Sequence, residues 1–189
     1  MVSLRSLLDV SLSAVGLVVL SPALAAASAL ILVDDGAPLF FRQERLGKSR
    51  EPFMLLKLRT MRDGRVTRAG KWLRTTGLDE VPQFWNVVRG EMSVVGPRPL
   101  TQHDVVRLGW NGRDHDVRFS AKPGLTGPVQ VMGAISAADS EELERAYLAR
   151  RSTGLDLAIV GATAAILVLG KDRVHNRMRL ALASLRRFR

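Results

Sequence analysis

Cysteine is absent from the 189 residues, which excludes a disulfide framework, a thiolate nucleophile and cysteine-ligated zinc or iron–sulfur clusters. Internal repeats and low-complexity linkers are missing too, and the length predicts one compact domain rather than a multidomain machine. Apolar residues at 47% and charged residues at 24% exclude wholesale disorder and a polytopic membrane bundle. Acidic side chains are in short supply, with 18 Asp and Glu against 28 Lys and Arg, a net charge of +10. Mean hydropathy is nevertheless slightly positive at +0.07. A chain both basic and apolar needs explaining, and the two properties sit in different segments.

Residues 10–33 form a run of 24 without a charge, of which 18 are Ala, Val, Leu or Ile. As a straight helix it would reach about 36 Å, more than the roughly 30 Å of a bilayer core. Its centre falls between Ser21 and Pro22. A proline there removes one helical hydrogen bond and clashes with the preceding turn, and Ser21 can bond back to Leu17 or Val18, so a sharp bend is expected. Half-helices of about 18 Å cannot each cross a bilayer. Three readings follow: a kinked spanning helix, a re-entrant hairpin that returns to the face it entered, and a cleaved signal peptide. Against cleavage, the apolar run continues through Ala29-Leu30-Ile31-Leu32-Val33, and Asp9 offsets the charge of Arg5.

The positive charge is localised. Residues 42–74 carry eleven basic and three acidic side chains, with Arg59, Arg62, Arg65, Arg68, Lys71 and Arg74 at every third position. Gly64 and Gly70 argue against one long helix through them. The run is either a solvated face or a surface for phosphates and anionic lipid. Residues 171–189 hold seven basic side chains and one Asp. There Val174, Met178, Leu182, Leu185 and Phe188 make an apolar stripe, as in a helix lying in a membrane interface. The uncharged residues 157–170 are too few to span and suit interfacial or core packing.

Pro38-Leu39-Phe40-Phe41 and Phe53-Met54-Leu55-Leu56 read as strands flanking a turn at Gly47-Lys48-Ser49, a small hairpin. Ser93-Val94-Val95 is a third extended piece, and residues 141–151 a surface helix. Pro82 and Gly90 predict a helix beginning near Asp79 and ending near Arg89, with Val81, Phe84, Trp85 and Val88 buried. Asp79 is then its N-cap, or a carboxylate held beside N–H groups that attract phosphate. With Glu80 it could share a divalent cation or divide nucleophile and base roles. Arg98, between Pro97 and Pro99, sits on stiff backbone, and Lys122 introduces the loop Pro123-Gly124-Leu125-Thr126-Gly127. Each loop is a rigid surface turn or a phosphate clamp.

Six ordered motifs carry a resemblance: the apolar run with Ser21-Pro22, Phe41-Arg42-Gln43-Glu44-Arg45-Leu46-Gly47, Lys57-Leu58-Arg59-Thr60-Met61, Leu78-Asp79-Glu80-Val81-Pro82-Gln83-Phe84-Trp85-Asn86-Val87, Met92-Ser93-Val94-Val95-Gly96-Pro97-Arg98-Pro99, and Pro123-Gly124-Leu125-Thr126-Gly127. Together they resemble the bacterial sugar transferases, the small monotopic phosphoglycosyl transferases, over essentially the whole chain. At this length the chain looks like the minimal catalytic unit, without the extra N-terminal membrane domain of larger relatives. The expected fold is α+β and mostly α: a re-entrant helix-break-helix at residues 1–36, then a catalytic domain at 37–189 with a small β-hairpin and interfacial amphipathic helices. The resemblance implies transfer of a sugar 1-phosphate from a UDP-sugar to a polyprenyl phosphate, with release of UMP and with Mg²⁺ as cofactor. The setting would be the cytoplasmic face of the bacterial inner membrane. It implies a covalent phospho-sugar on Asp79, with Glu80 assisting as metal ligand or base, the pair holding the metal. Lys57, Arg74, Arg98 and Lys122 stand at the family's phosphate-binding cations, and Ser21 and Pro22 at the helix break. Three departures are visible: Gly77 where the family usually has Ser, Lys122 where it has Arg, and Ala134 where it has Arg.

Physical chemistry makes the same demand, since a carboxylate approaching an anionic diphosphate needs fixed cations and a metal to offset repulsion. Two rival readings remain at this point. A nucleic-acid-binding protein would account for the +10 but not for the apolar run. The other is a membrane-surface scaffold of the same fold without activity.

Overall fold

A computed structural model describes residues 4–133 and 136–169. Ala134 and the basic stripe within residues 171–189 lie outside the described residues. The chain is mostly helical, with small β-hairpins and one long apolar N-terminal helix. It divides into two compact units, residues 1–94 and 95–189.

In the first unit, α1 (Leu4–Asp35) is assigned as helix throughout, with Pro22 inside it. Ser21 Oγ donates to the Val18 carbonyl at 2.7 Å, one of the two back-bonds its position next to proline predicted. Both ends of α1 are tied to this unit. Near the start, the Asp9 carboxylate accepts from Ser93 Oγ at 2.5 Å and from the Val94 N–H at 3.3 Å. At the other end, Asp34 accepts from the Ala69 N–H at 2.9 Å, and Asp35 is ion-paired with Arg59 at 2.8 Å. Arg59 also caps the helix, donating to the carbonyls of Asp35, Gly36 and Ala37. The last turn of a helix leaves such carbonyls without partners, and Arg59 supplies them. Between the ends, Ala27 and Ile31 pack with Leu58, Ala69 and Leu73 into one cluster. Leu12, Val15, Val18, Val19, Leu32 and Val33 stay exposed.

The expected hairpin is present and longer than expected. β1 (Phe40–Leu46) and β2 (Pro52–Leu58) pair antiparallel from Phe40 opposite Leu58 to Leu46 opposite Pro52. On β2, Phe53, Leu55 and Leu58 are buried. A second, unpredicted hairpin joins β3 (Met61–Arg62) to β4 (Arg65–Val66) across Asp63 and Gly64, both at positive φ (48° and 77°). That is the backbone of a tight two-residue hairpin turn. The arginine run is therefore broken at Gly64. Gly70, by contrast, lies inside α2 (Arg68–Thr76), where a Cβ would stand 2.1 Å from the Thr60 carbonyl oxygen. It is there for close packing. Thr67 caps α2, its hydroxyl accepting from the Gly70 N–H, and Gly77 ends the helix at φ 72°. The departure at Gly77 thus falls on left-handed backbone, where glycine is at ease and serine would be strained.

The helix expected from Asp79 to Arg89 is corrected in three respects. A single 3₁₀ turn, Leu78–Glu80, comes first, and α3 (Gln83–Val88) begins only after Pro82. Pro82 has no N–H to give, and the flanking bonds from Val81, Phe84 and Trp85 all run three residues back. Asp79 accordingly lies inside the turn and Gly77 occupies its N-cap, so the N-cap reading of Asp79 fails. The buried face is also rotated: Val81, Gln83, Asn86 and Val87 are inside, whereas Trp85 is 49% exposed. Asn86 explains the rotation, because its side chain binds the β2 backbone at the Leu56 N–H (3.1 Å) and the Met54 carbonyl (2.7 Å). Gly90, at φ 79°, stops the helix as expected. β5 (Ser93–Val95) follows, and the division between the units falls within it.

The second unit contains α4 (Gln102–Arg107), α5 (Asp116–Phe119), β6 (Gly124–Thr126), α6 (Pro128–Met132), α7 (Ala137–Ala149) and α8 (Thr153–Leu169). α7 was expected as a surface helix over 141–151, but it starts earlier and buries Glu144 and Tyr147. Its start is set by Ser136, whose hydroxyl and backbone N–H exchange bonds with Asp139 in a capping box. α8 carries the uncharged run and packs on α6 and β6, with Ile159 buried and Leu157 and Leu167 exposed.

Candidate active site

In the first unit, β2 and the turn that follows α2 bring candidate residues together. Lys57 lies one residue before the end of β2, opposite Phe41, and donates from Nζ to Glu80 Oε1 at 2.6 Å. Glu80 is half exposed, its side chain retaining 50% of its accessible surface. Its neighbour Asp79 retains 8%. Burial pushes the Asp79 carboxyl above the usual aspartate range, and the charge on Glu80 pushes the same way. Lys57, the residue's own backbone N–H and Arg74 pull it back without cancelling the rise. The result is an aspartate more basic than an exposed one, with Lys57 and Arg74 acting on it. Arg74 is itself steadied by its Nε, which donates to Thr60 Oγ1 at 2.9 Å.

Arg98 and Lys122 belong to the second unit, where the loops that carry them are knitted together. The Gly96 N–H donates to the Thr126 carbonyl at 3.0 Å, and the Gly124 N–H to the Pro97 carbonyl at 2.9 Å. Glycine is required at this junction. A Cβ on Gly124 would stand 2.1 Å from the Gly96 nitrogen, and one on Gly127 2.1 Å from the Gly96 oxygen. The two loops, read separately from the sequence, are thus one structure that presents two cations. The Arg98 side chain is exposed, and among the described residues it has no hydrogen-bond or ion-pair partner.

Among the described residues no group of three or more His, Asp or Glu gathers as a metal site. Asp79 and Glu80 remain as an adjacent pair. Magnesium commonly takes one or two protein carboxylates and fills the rest of its shell from water and substrate phosphates, so the donor set fits it.

Thr60 and Asn86 were not singled out from the sequence, although both lie inside motifs that were. Asn86 carried a usable signal: an amide between Trp85 and Val87 in an apolar helix face needs buried partners. Thr60 carried none.

A family model for bacterial sugar transferases matches residues 2–170. Curated relatives include two proteins named UDP-glucose:undecaprenyl-phosphate glucose-1-phosphate transferase. The one from Caulobacter vibrioides is 40% identical, over 77% of this chain and 60% of that protein. The one from Klebsiella pneumoniae is 35% identical, over 84% of this chain and 39% of that protein. A UDP-galactose-lipid carrier transferase of Erwinia amylovora is 35% identical, over 82% and 38%. The chain belongs to the bacterial sugar transferase family. It spans 60% or less of the length of these three relatives. The nucleic-acid and inactive-scaffold readings gain no support from them.

Proposed function

We propose that this chain is a phosphoglycosyl transferase that moves a sugar 1-phosphate from a UDP-sugar to undecaprenyl or a related polyprenyl phosphate. This would be the first membrane step of a surface glycan such as exopolysaccharide, O-antigen, capsule or a glycoprotein glycan. The observation that carries the reading is the buried, basic Asp79 beside the Lys57–Glu80 ion pair, in a chain whose relatives bear the names given above. In the first step an Asp79 carboxylate oxygen attacks the phosphorus bonded to the sugar, and the bond from that phosphorus to UMP breaks. In the second, an oxygen of the polyprenyl phosphate attacks the same phosphorus and Asp79 leaves. Lys57 and Arg74 offset the charge of the diphosphate near the carboxylate, with Arg98 and Lys122 as further phosphate-binding cations. Asp79 and Glu80 would hold Mg²⁺, which when bound supplies further charge neutralisation at the diphosphate.

The setting proposed is the cytoplasmic face of the inner membrane, with α1 re-entrant about Ser21-Pro22. The support is that Asp9 near one end of α1 and Asp34 and Asp35 at the other are bonded within the same unit, while exposed Leu12, Val15, Val18 and Val19 suit lipid. Basic surface on residues 42–74 would add attraction to anionic headgroups. Release of UMP from a panel of UDP-sugars in the presence of undecaprenyl phosphate tests the proposal and identifies the sugar. Absence of release with every donor, from folded protein in phospholipid, would reject it.

A further inference from the structure

Arg118 on α5 and Glu144 on α7 are 6% and 1% exposed, and neither belongs to a motif that pointed to chemistry. They form a two-pronged ion pair: Arg118 Nε to Glu144 Oε2 at 2.8 Å, and Nη2 to Oε1 at 3.1 Å. The Arg118 guanidinium also lies over the rings of Trp110 (4.8 Å to the centroid) and Phe119 (5.2 Å). Removing two charges from water costs more than their attraction returns unless their remaining valences are filled, so such a pair is a poor device for stability alone. Here the further hydrogen bonds of the pair go to one residue. Glu144 Oε1 accepts from the backbone N–H of Arg98 at 2.9 Å, and Arg118 Nη2 donates to the Arg98 carbonyl at 3.0 Å. Both peptide groups of Arg98 are gripped, between prolines that fix the backbone on either side, while its side chain projects exposed.

We propose that Arg118 and Glu144 are positioning residues that hold the backbone of Arg98 so that its guanidinium meets a substrate phosphate preorganised. This rests on the reading of Arg98 as a phosphate-binding residue. Ordering an arginine before the ligand arrives removes part of the entropy cost of binding. The effect should therefore appear in affinity for a nucleoside diphosphate and vanish when the Arg98 side chain is gone.

The experiment uses the full chain in detergent, UDP as probe, calorimetric Kd as readout and the unliganded melting temperature as a control for folding. Arg98→Ala should weaken UDP about tenfold or more, the loss of a bidentate phosphate contact. Arg118→Met with Glu144→Leu, which removes both charges together so that neither is left buried and unpaired, should weaken UDP by about three- to tenfold. The triple variant should bind no more weakly than Arg98→Ala alone. Wild-type affinity in the Arg118/Glu144 variant, or losses that multiply in the triple variant, would overturn the positioning role. Unchanged affinity in Arg98→Ala would instead remove the reading of Arg98 on which it rests. Should the paired replacement melt early, Glu144→Gln, whose amide oxygen still accepts from Arg98, must bind UDP more tightly than Glu144→Ala; equal affinities would again overturn the proposal.

Discussion

Lys57 Nζ and Glu80 Oε1 lie 2.6 Å apart although 23 residues separate them in the chain. β2 supplies the cation and the 3₁₀ turn after α2 supplies the carboxylate, so the pair reports that the two elements are correctly docked. Replacing Lys57 by Ala removes the cation that pulls most strongly toward ionised Asp79 and that is proposed to offset the diphosphate. Its kcat/KM for sugar-phosphate transfer should fall by about a hundredfold or more, and Lys57→Arg should recover part of it. Steady-state UMP release measures both.

Asp79 should make stability depend on pH in the direction opposite to a salt-bridged aspartate. Its carboxyl is raised in the folded protein, so its contribution is fully present below the usual aspartate range and is lost as pH rises through the folded value. Asp79→Asn, neutral throughout, should therefore melt higher than the native chain at neutral pH. The gap should close as pH falls below the usual aspartate range. Metal-free melting curves across that interval check the sign, and the same variant should show no transfer.

Topology is tested by single cysteines, which a cysteine-free chain makes straightforward. Leu4→Cys at the first residue of α1 and Ala37→Cys two residues past its end are both at exposed positions. Both should label from the same side of sealed vesicles with a membrane-impermeant thiol reagent. Labelling from opposite sides would replace the re-entrant helix by a spanning one.

Asn86 joins α3 to β2 through the Leu56 N–H and the Met54 carbonyl, and its Nδ2 also donates to Glu91 Oε2 at 2.7 Å. Asn86→Leu leaves those groups without partners and should cost about 2–3 kcal/mol. Asn86→Asp retains an acceptor for Leu56 but sets a buried carboxylate oxygen against the Met54 carbonyl and the Glu91 carboxylate. Denaturant unfolding should place both variants below the native chain.

The apolar run, the first hairpin, the stop at Gly90 and the motif residues were legible because each rests on a local signal: charge absence, strand-forming runs between turn residues, or glycine and proline at marked positions. What escaped depended on partners far away in sequence. Trp85 read as core because it is large and apolar, yet the helix is turned by the amide of Asn86 reaching β2. Asp79 read as an N-cap because Pro82 suggested a helix start, yet a residue without an N–H also interrupts the bonding pattern and leaves a 3₁₀ turn. Gly70 read as punctuation, and only the approach of the Thr60 carbonyl reveals it as a packing site. Arg118 and Glu144 carried no local signal, since an ion pair spanning 26 residues leaves no periodic trace.

Ala27 and Ile31 of α1 share a cluster with Leu58, Ala69 and Leu73, and Leu58 adjoins Lys57. The apolar helix thus packs directly against the strand residue that follows the lysine. Trimming it away to obtain a water-soluble protein would uncover that cluster and take the Asp35 partner from Arg59, two positions beyond Lys57. Solubilisation strategies should keep the helix and change its outward-facing side chains instead.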